Sequence, residues 1–156
     1  MQNDKKQRIL STHRAVSSAL EHEAEMSQEV LYEATTTFPF ILFPDTITID
    51  RVKVTVTRRW FFGSAQVTSI QIQDILNIEA NVGPIFGSLK IWTRFFHEEP
   101  LVINYLSRND VSRIKCILQG YVIAMHSEIE TSGVPKRELI RMLQHIGETS
   151  HFRPNA

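Results

Sequence analysis

Cysteine is almost missing from this chain. Cys116 is the single one in 156 residues, so no intramolecular disulfide can form and a cysteine-rich zinc site is excluded. Net charge is missing too: seventeen Lys and Arg balance seventeen Asp and Glu. No global field therefore gathers nucleic acid or an anionic membrane, and no nucleic-acid partner is expected. No apolar run approaches the roughly 18 residues that cross a bilayer, and Met1 to Leu10 is polar, without the apolar centre of a signal peptide. The expectation is a cytoplasmic protein, attached to a membrane peripherally if at all.

The common catalytic signatures are missing as well. There is no G-x-S-x-G elbow, no G-x-x-x-x-G-K-[ST] phosphate loop, no G-x-G-x-x-G fingerprint and no H-E-x-x-H pair. No catalytic residue and no cofactor is assigned on this basis. The histidines are scattered; His97 with Glu98 and Glu99 comes nearest to a ligand cluster. Adjacent residues of an extended chain point to opposite faces, so no metal site is expected there.

What is present is ordinary globular material. Hydrophobic residues make up 42% and charged residues 22%, and the length suits one domain. Residues 4–34 contain neither glycine nor proline, and apolar residues recur at helical spacing through Ile9, Val16, Leu20, Met26, Val30 and Leu31. This predicts an N-terminal amphipathic helix over residues 1–35. Its cations Lys5, Lys6, Arg8 and Arg14 come first and its glutamates last, against the helix dipole, and Glu21, Glu25, Glu29 and Glu33 repel at i, i+4 spacing. Such a helix needs a packing partner. The glutamate row is either a solvated face or a contact for a basic partner, and Ile9, Val16, Leu20, Glu21, Glu25 and Glu29 are candidate interface residues.

From Thr36 the period changes to two. Ile47 and Ile49, then Val52, Val54 and Val56, alternate with polar residues and predict a hairpin joined at Asp50 and Arg51, although that turn lacks glycine. Further runs surround Val67 to Ile72, Ile75 to Ile78, Leu89 to Trp92 and Leu101 to Leu106, which makes an antiparallel meander of six or seven strands. Ser107 with Asp110 then reads as the N-cap of a helix whose stripe runs Val111, Ile114, Leu118, Tyr121, Val122, Met125 and Ile129. Gly133 is read as its stop, Pro135 as the start of a shorter helix, Gly147 as that helix's end, and the last residues as a frayed tail. The expected units are a helix over 1–35, a strand-rich α+β domain with its closing helix over 36–130, and a short helix with tail over 131–156.

From Phe43 to about Gly120 the order of motifs resembles the bacterial pleckstrin-homology-like (PH-like) family. The residues that carry the resemblance are Pro44, Asp45, Ile47 and Ile49; Arg58 and Arg59; Phe61, Phe62 and Gly63; Ile70, Asp74, Ile75 and Ile78; Gly83, Phe86, Gly87, Leu89 and Ile91; and Asp110 with Ile114. The resemblance implies a PH-like antiparallel β-roll closed by an amphipathic helix. It also implies a binding or assembly module rather than an enzyme, in a group whose members tend to form homo-oligomeric rings.

Two surface features have open alternatives. Arg51, Lys53, Thr55, Thr57 and Arg59 share one side of a strand, with Arg58 beside them: a solvated face, or a site for an anionic ligand or lipid headgroup. Trp60, Phe61 and Phe62 at one turn, and Trp92, Phe95 and Phe96 at another, either fold back over the core or form an interface. The leading expectation is a self-associating interaction module, a homo-oligomer with room for an unidentified protein partner. Peripheral binding of anionic lipid comes second, and an enzyme with an unfamiliar site third.

Overall fold

A computed structural model describes residues 28–37, 42–95 and 99–149. Among them, seven strands form two antiparallel sheets. The first holds β1 (Tyr32–Thr35), β2 (Thr46–Ile49), β3 (Lys53–Arg59) and β4 (Ala65–Gln71) in that order; the second holds β5 (Ile75–Val82), β6 (Phe86–Thr93) and β7 (Leu101–Ser107). Helix α1 (Arg108–His126) covers the second sheet, and α2 (Lys136–Thr149) packs on α1. Four strands, three strands and a C-terminal helix make an α+β arrangement in the element order expected from the sequence. The sheets stay open: β4 hands over to β5 through a 3-10 turn at Ile72–Asp74 rather than by pairing. The helix therefore lies over an open roll and does not plug a closed barrel.

Period-two alternation decides what each strand buries. Ile47, Ile49, Val54 and Val56 are fully enclosed, and the expected hairpin pairs Ile47 with Val56 and Ile49 with Val54. Asp50 supplies what glycine usually does at such a turn. Its carboxylate accepts from the backbone N–H of Val52 and of Lys53, at 2.8 and 2.7 Å, an Asx-turn that leaves Val52 exposed rather than in the strand.

The N-terminal helix expected to run to residue 35 is corrected at its end. Tyr32–Thr35 is a strand whose partners are Ile49 to Thr46, and Leu31 already donates its N–H to the Ile49 carbonyl. The open edge of β2 needs hydrogen-bond partners, and this tertiary demand overrides a local helical pattern. Residues 1–27, with Ile9, Val16, Leu20, Glu21 and Glu25, lie outside the described residues.

The start of α1 follows expectation. Ser107 Oγ accepts from the Asp110 N–H at 3.1 Å and donates to the Asp110 carboxylate at 2.7 Å, and that carboxylate also accepts from the Tyr32 hydroxyl at 2.6 Å. The cap thus ties β1 to the helix. Burial, and then the Asp110 carboxylate, push the Tyr32 phenol up to about 12. Val111, Ile114, Ile117, Leu118, Tyr121 and Ala124 face the core.

Both predicted helix ends are corrected. The first comes at His126 and not at Gly133: Ile129 N–H returns to the Ala124 carbonyl, Glu128 N–H to that of Met125, and Glu128 takes the left-handed conformation (φ 54°). That is a Schellman end with glutamate where glycine is usual, so no glycine marks it in the sequence. Met125 and Ile129, read as part of the buried stripe, are exposed. Gly147 is not a stop but lies inside α2, where a Cβ would overlap the Cys116 carbonyl; a Cβ on Gly120 would overlap that of Leu143. The two glycines let antiparallel helices touch backbone to backbone, enclosing Leu139 and Leu143. No helix among the described residues is long and apolar enough to cross a membrane.

Candidate functional site

β3 carries all four cations of the candidate anion site at or near its ends, and the fold separates them. Arg51 leaves the row. Its side chain is 7% exposed, its Nε and Nη2 meet the Glu29 carboxylate at 3.1 and 2.8 Å, and its remaining donors reach the carbonyls of Thr131 (3.3 Å) and Val134 (2.9 Å). The planar fork joins the N-terminal segment, the β2–β3 turn and the α1–α2 connection, a task an ammonium group does not match. Glu29, read as part of a solvated or partner-facing row, is this guanidinium's counter-ion.

Arg58 is also engaged. Its Nη2 donates to the Val102 carbonyl at 2.8 Å, bracing β3 against β7, and its Nε stands 4.0 Å from the Asp45 carboxylate. Burial raises the Asp45 carboxyl above its ordinary value, while backbone bonding at Arg59 and the Arg58 charge pull it back. Lys53 and Arg59 remain exposed at opposite ends of β3, six steps or roughly 20 Å apart. Lys53 and Arg59 thus share the outward face of β3 with Thr55 and Thr57 but stand far apart, while Arg51 and Arg58 are engaged elsewhere.

The aromatic turns are separate places. At the β3–β4 tip the chain makes a 3-10 turn at Phe61–Gly63, closed by Trp60 N–H to the Ser64 carbonyl at 2.9 Å, with Gly63 at φ 74°. Trp60 is 57% and Phe61 65% exposed; Phe61 meets Phe43 edge-on at 4.9 Å. A shallow depression of about 330 Å³ runs between Phe43, Trp60, Arg59 and Ser64. The Phe62 side chain lies outside the described residues, as do Phe96, His97 and Glu98. Phe95 is exposed at the far end of β4, since neighbouring Arg94 donates its N–H to the Asp74 carbonyl. Trp92 is half-buried, its indole N–H enclosed without a protein partner among the described residues.

A second hollow, absent from the sequence expectations, lies at that Asp74 corner. It measures about 260 Å³ and is lined by Ile72, Ile75, Leu76, Val122 and Met125 together with the polar Gln73, Arg94 and His126. Leu76 reaches it through a β-bulge: Ile75 pairs with Thr93 and Asn77 with Trp92, so Leu76 is the extra residue and points out. The signal in the sequence is an apolar residue out of phase in β5, together with Met125 and Ile129 beyond the buried stripe of α1.

Among the described residues no three His, Cys, Asp or Glu side chains group to hold a metal. The Tyr121 hydroxyl is enclosed without a protein partner among them, and burial raises its pKa well beyond the ordinary tyrosine range. Cys116 is half-buried, and burial, then the nearby Glu148, push its thiol up, away from the reactive thiolate.

No family model matches the chain, and no curated protein matches it. Among solved structures it is similar to the pleckstrin homology (PH) domain of USP37, at 14% identity and a TM-score of 0.42, over 65% of this chain and 99% of that one.

Proposed function

We propose that this chain is a non-catalytic interaction module that self-associates through its β3–β4 tip. The observation that carries the reading is the exposure of Trp60 and Phe61, 57% and 65%, on a short turn stapled at its base. Large aromatics held rigidly in water are the anchors from which protein interfaces are built, because they bury much area while losing few rotamers. Sedimentation of the full chain over a range of concentrations tests it. Wild type should associate, and Trp60→Ser with Phe61→Ser should sediment as a monomer. A wild-type monomer at every concentration overturns the proposal.

A second reading draws on Arg59, exposed beside those aromatics. A cation next to Trp and Phe matches the headgroup level of an anionic bilayer. Salt-sensitive flotation of wild type with acidic liposomes, lost in Arg59→Glu and in the tip variant, would favour lipid over self-association.

A further inference from the structure

Three observations meet at the Asp74 corner. The hollow there is lined largely by apolar side chains, beside Gln73, Arg94 and His126, and two of them stay exposed, Leu76 at 56% and Met125 at 45%; Phe95, the residue after Arg94, is 75% exposed. Apolar surface gathered in one place, unlike single exposed residues, marks a docking site. The bulge lets both Ile75 and Ile78 face the core and leaves Leu76 exposed between them.

The second observation is where the chain enters the described fold. Glu29 is held by Arg51, and the next residue, Val52, accepts the Ile72 N–H at 2.8 Å, Ile72 being part of the hollow's lining. Glu29 and Arg51 also lie within electrostatic reach of Tyr121, which precedes the lining residue Val122. Glu29, next to the first described residue, is thus linked through Arg51 and Val52 to a residue of the hollow's lining.

The third is the composition of that preceding segment. Ile9, Val16, Leu20 and Met26 keep helical spacing, and Glu21, Glu23 and Glu25, close in sequence to Gln28, are opposite in charge to Arg94 of the hollow's lining. A helix over residues 9–26 would be roughly 27 Å long, enough to lie across the end of α1 and the start of β5.

We propose that the hollow between the bulged start of β5 and the last turns of α1 is the docking site for this chain's own residues 9–26, seated as an amphipathic helix in the same molecule. Arg51 anchors the segment's end, the apolar stripe covers Leu76 and Met125, and the glutamates face Arg94. The proposal is independent of association through Trp60 and Phe61.

Hydrogen exchange on the full chain at two protein concentrations tests it, with Leu76→Asp and Met125→Asp as variants. Both side chains are exposed in the described fold, so neither change enters the core. Amides of residues 9–26 should be protected in wild type equally at both concentrations. Each variant should speed their exchange by roughly tenfold or more, while Ile114 and Leu118 amides stay protected. Unprotected wild type, or protection that survives both substitutions, overturns the proposal. Protection that falls on dilution also overturns it, because the occupant would then come from a second copy.

Discussion

At the start of β3, Arg51 is drawn inside with 7% of its side chain exposed, whereas just beyond the end of the same strand Trp60 and Phe61 stand more than half exposed. Each place reverses the usual sorting of polar and apolar residues, and such reversals are informative where an exposed lysine or buried leucine is not. The Arg51 corner is built for cohesion: the cation is satisfied by Glu29 and two carbonyls on segments about 80 residues further along the chain. The tip is built for presentation, with little of its aromatic area contributing to the fold. Stability should therefore respond to the first and association to the second.

The largest effect is expected at Arg51. Arg51→Ala strands the Glu29 carboxylate and two carbonyls, costing about 3 kcal/mol, the lower end for a broken buried pair because Glu29 can still reach water. Arg51→Lys should recover less than half of that, since one ammonium cannot serve three directions. Urea unfolding midpoints measure both, and an unchanged midpoint for Arg51→Ala would erase the contrast with the tip.

Gly120→Ala follows. The added methyl overlaps the Leu143 carbonyl, and forcing α1 and α2 apart should cost about 1–3 kcal/mol despite alanine's better helix propensity. A thermal midpoint at or above that of wild type would mean the helices can slide without loss, and that the corner next to them is less constrained than Arg51 suggests.

Tyr32 sharpens the comparison through pH. Its phenol has an ordinary value of 10.0 and is raised to about 12 in the fold. The folded state holds the proton more tightly, so this contribution is complete below about pH 10 and is lost as pH rises towards about 12. Tyr32→Phe cannot titrate, and its urea midpoint should fall less than that of wild type between about pH 9 and about pH 11. Parallel declines would remove Tyr32 as a source of alkaline sensitivity.

The smallest stability change is expected at the tip. Trp60→Ser with Phe61→Ser should leave the unfolding free energy within about 0.5 kcal/mol of wild type, while changing the sedimentation profile. A large loss of stability would show that the tip belongs to the core after all.

The strands from Thr46 to Leu106 were legible because alternation is written residue by residue, and the cap at Ser107 because Asp110 stands three positions on. The β2–β3 hairpin was legible despite lacking glycine, although Asp50's part in its turn was not. β1 was misread because Leu31 and its neighbours continue a helical spacing that the empty edge of β2 overrules. Gly147 was misread because a glycine that ends a helix and one that admits a neighbouring backbone look alike until the neighbour is in place. Among the candidate site residues, exposure at Phe61 and Phe95 emerged from a question the sequence had left open; Lys53 and Arg59 share the outward face of β3 as alternation required, while the engagement of Arg51 and Arg58 depends on distant partners.

The amino-acid sequence by itself determined the neutral charge, the scarcity of cysteine, the two-residue period of the strands and the apolar stripe of α1, since all of these depend on residue identity and short-range spacing. Only the tertiary structure decided the fate of Arg51, the outward turn of Leu76 and the hollow at the Asp74 corner. Those depend on which carbonyls, edges and helix ends meet across intervals of up to 83 residues, as between Arg51 and Val134. A local pattern carries no record of such meetings, because the energy that decides them arises only when the distant partners arrive.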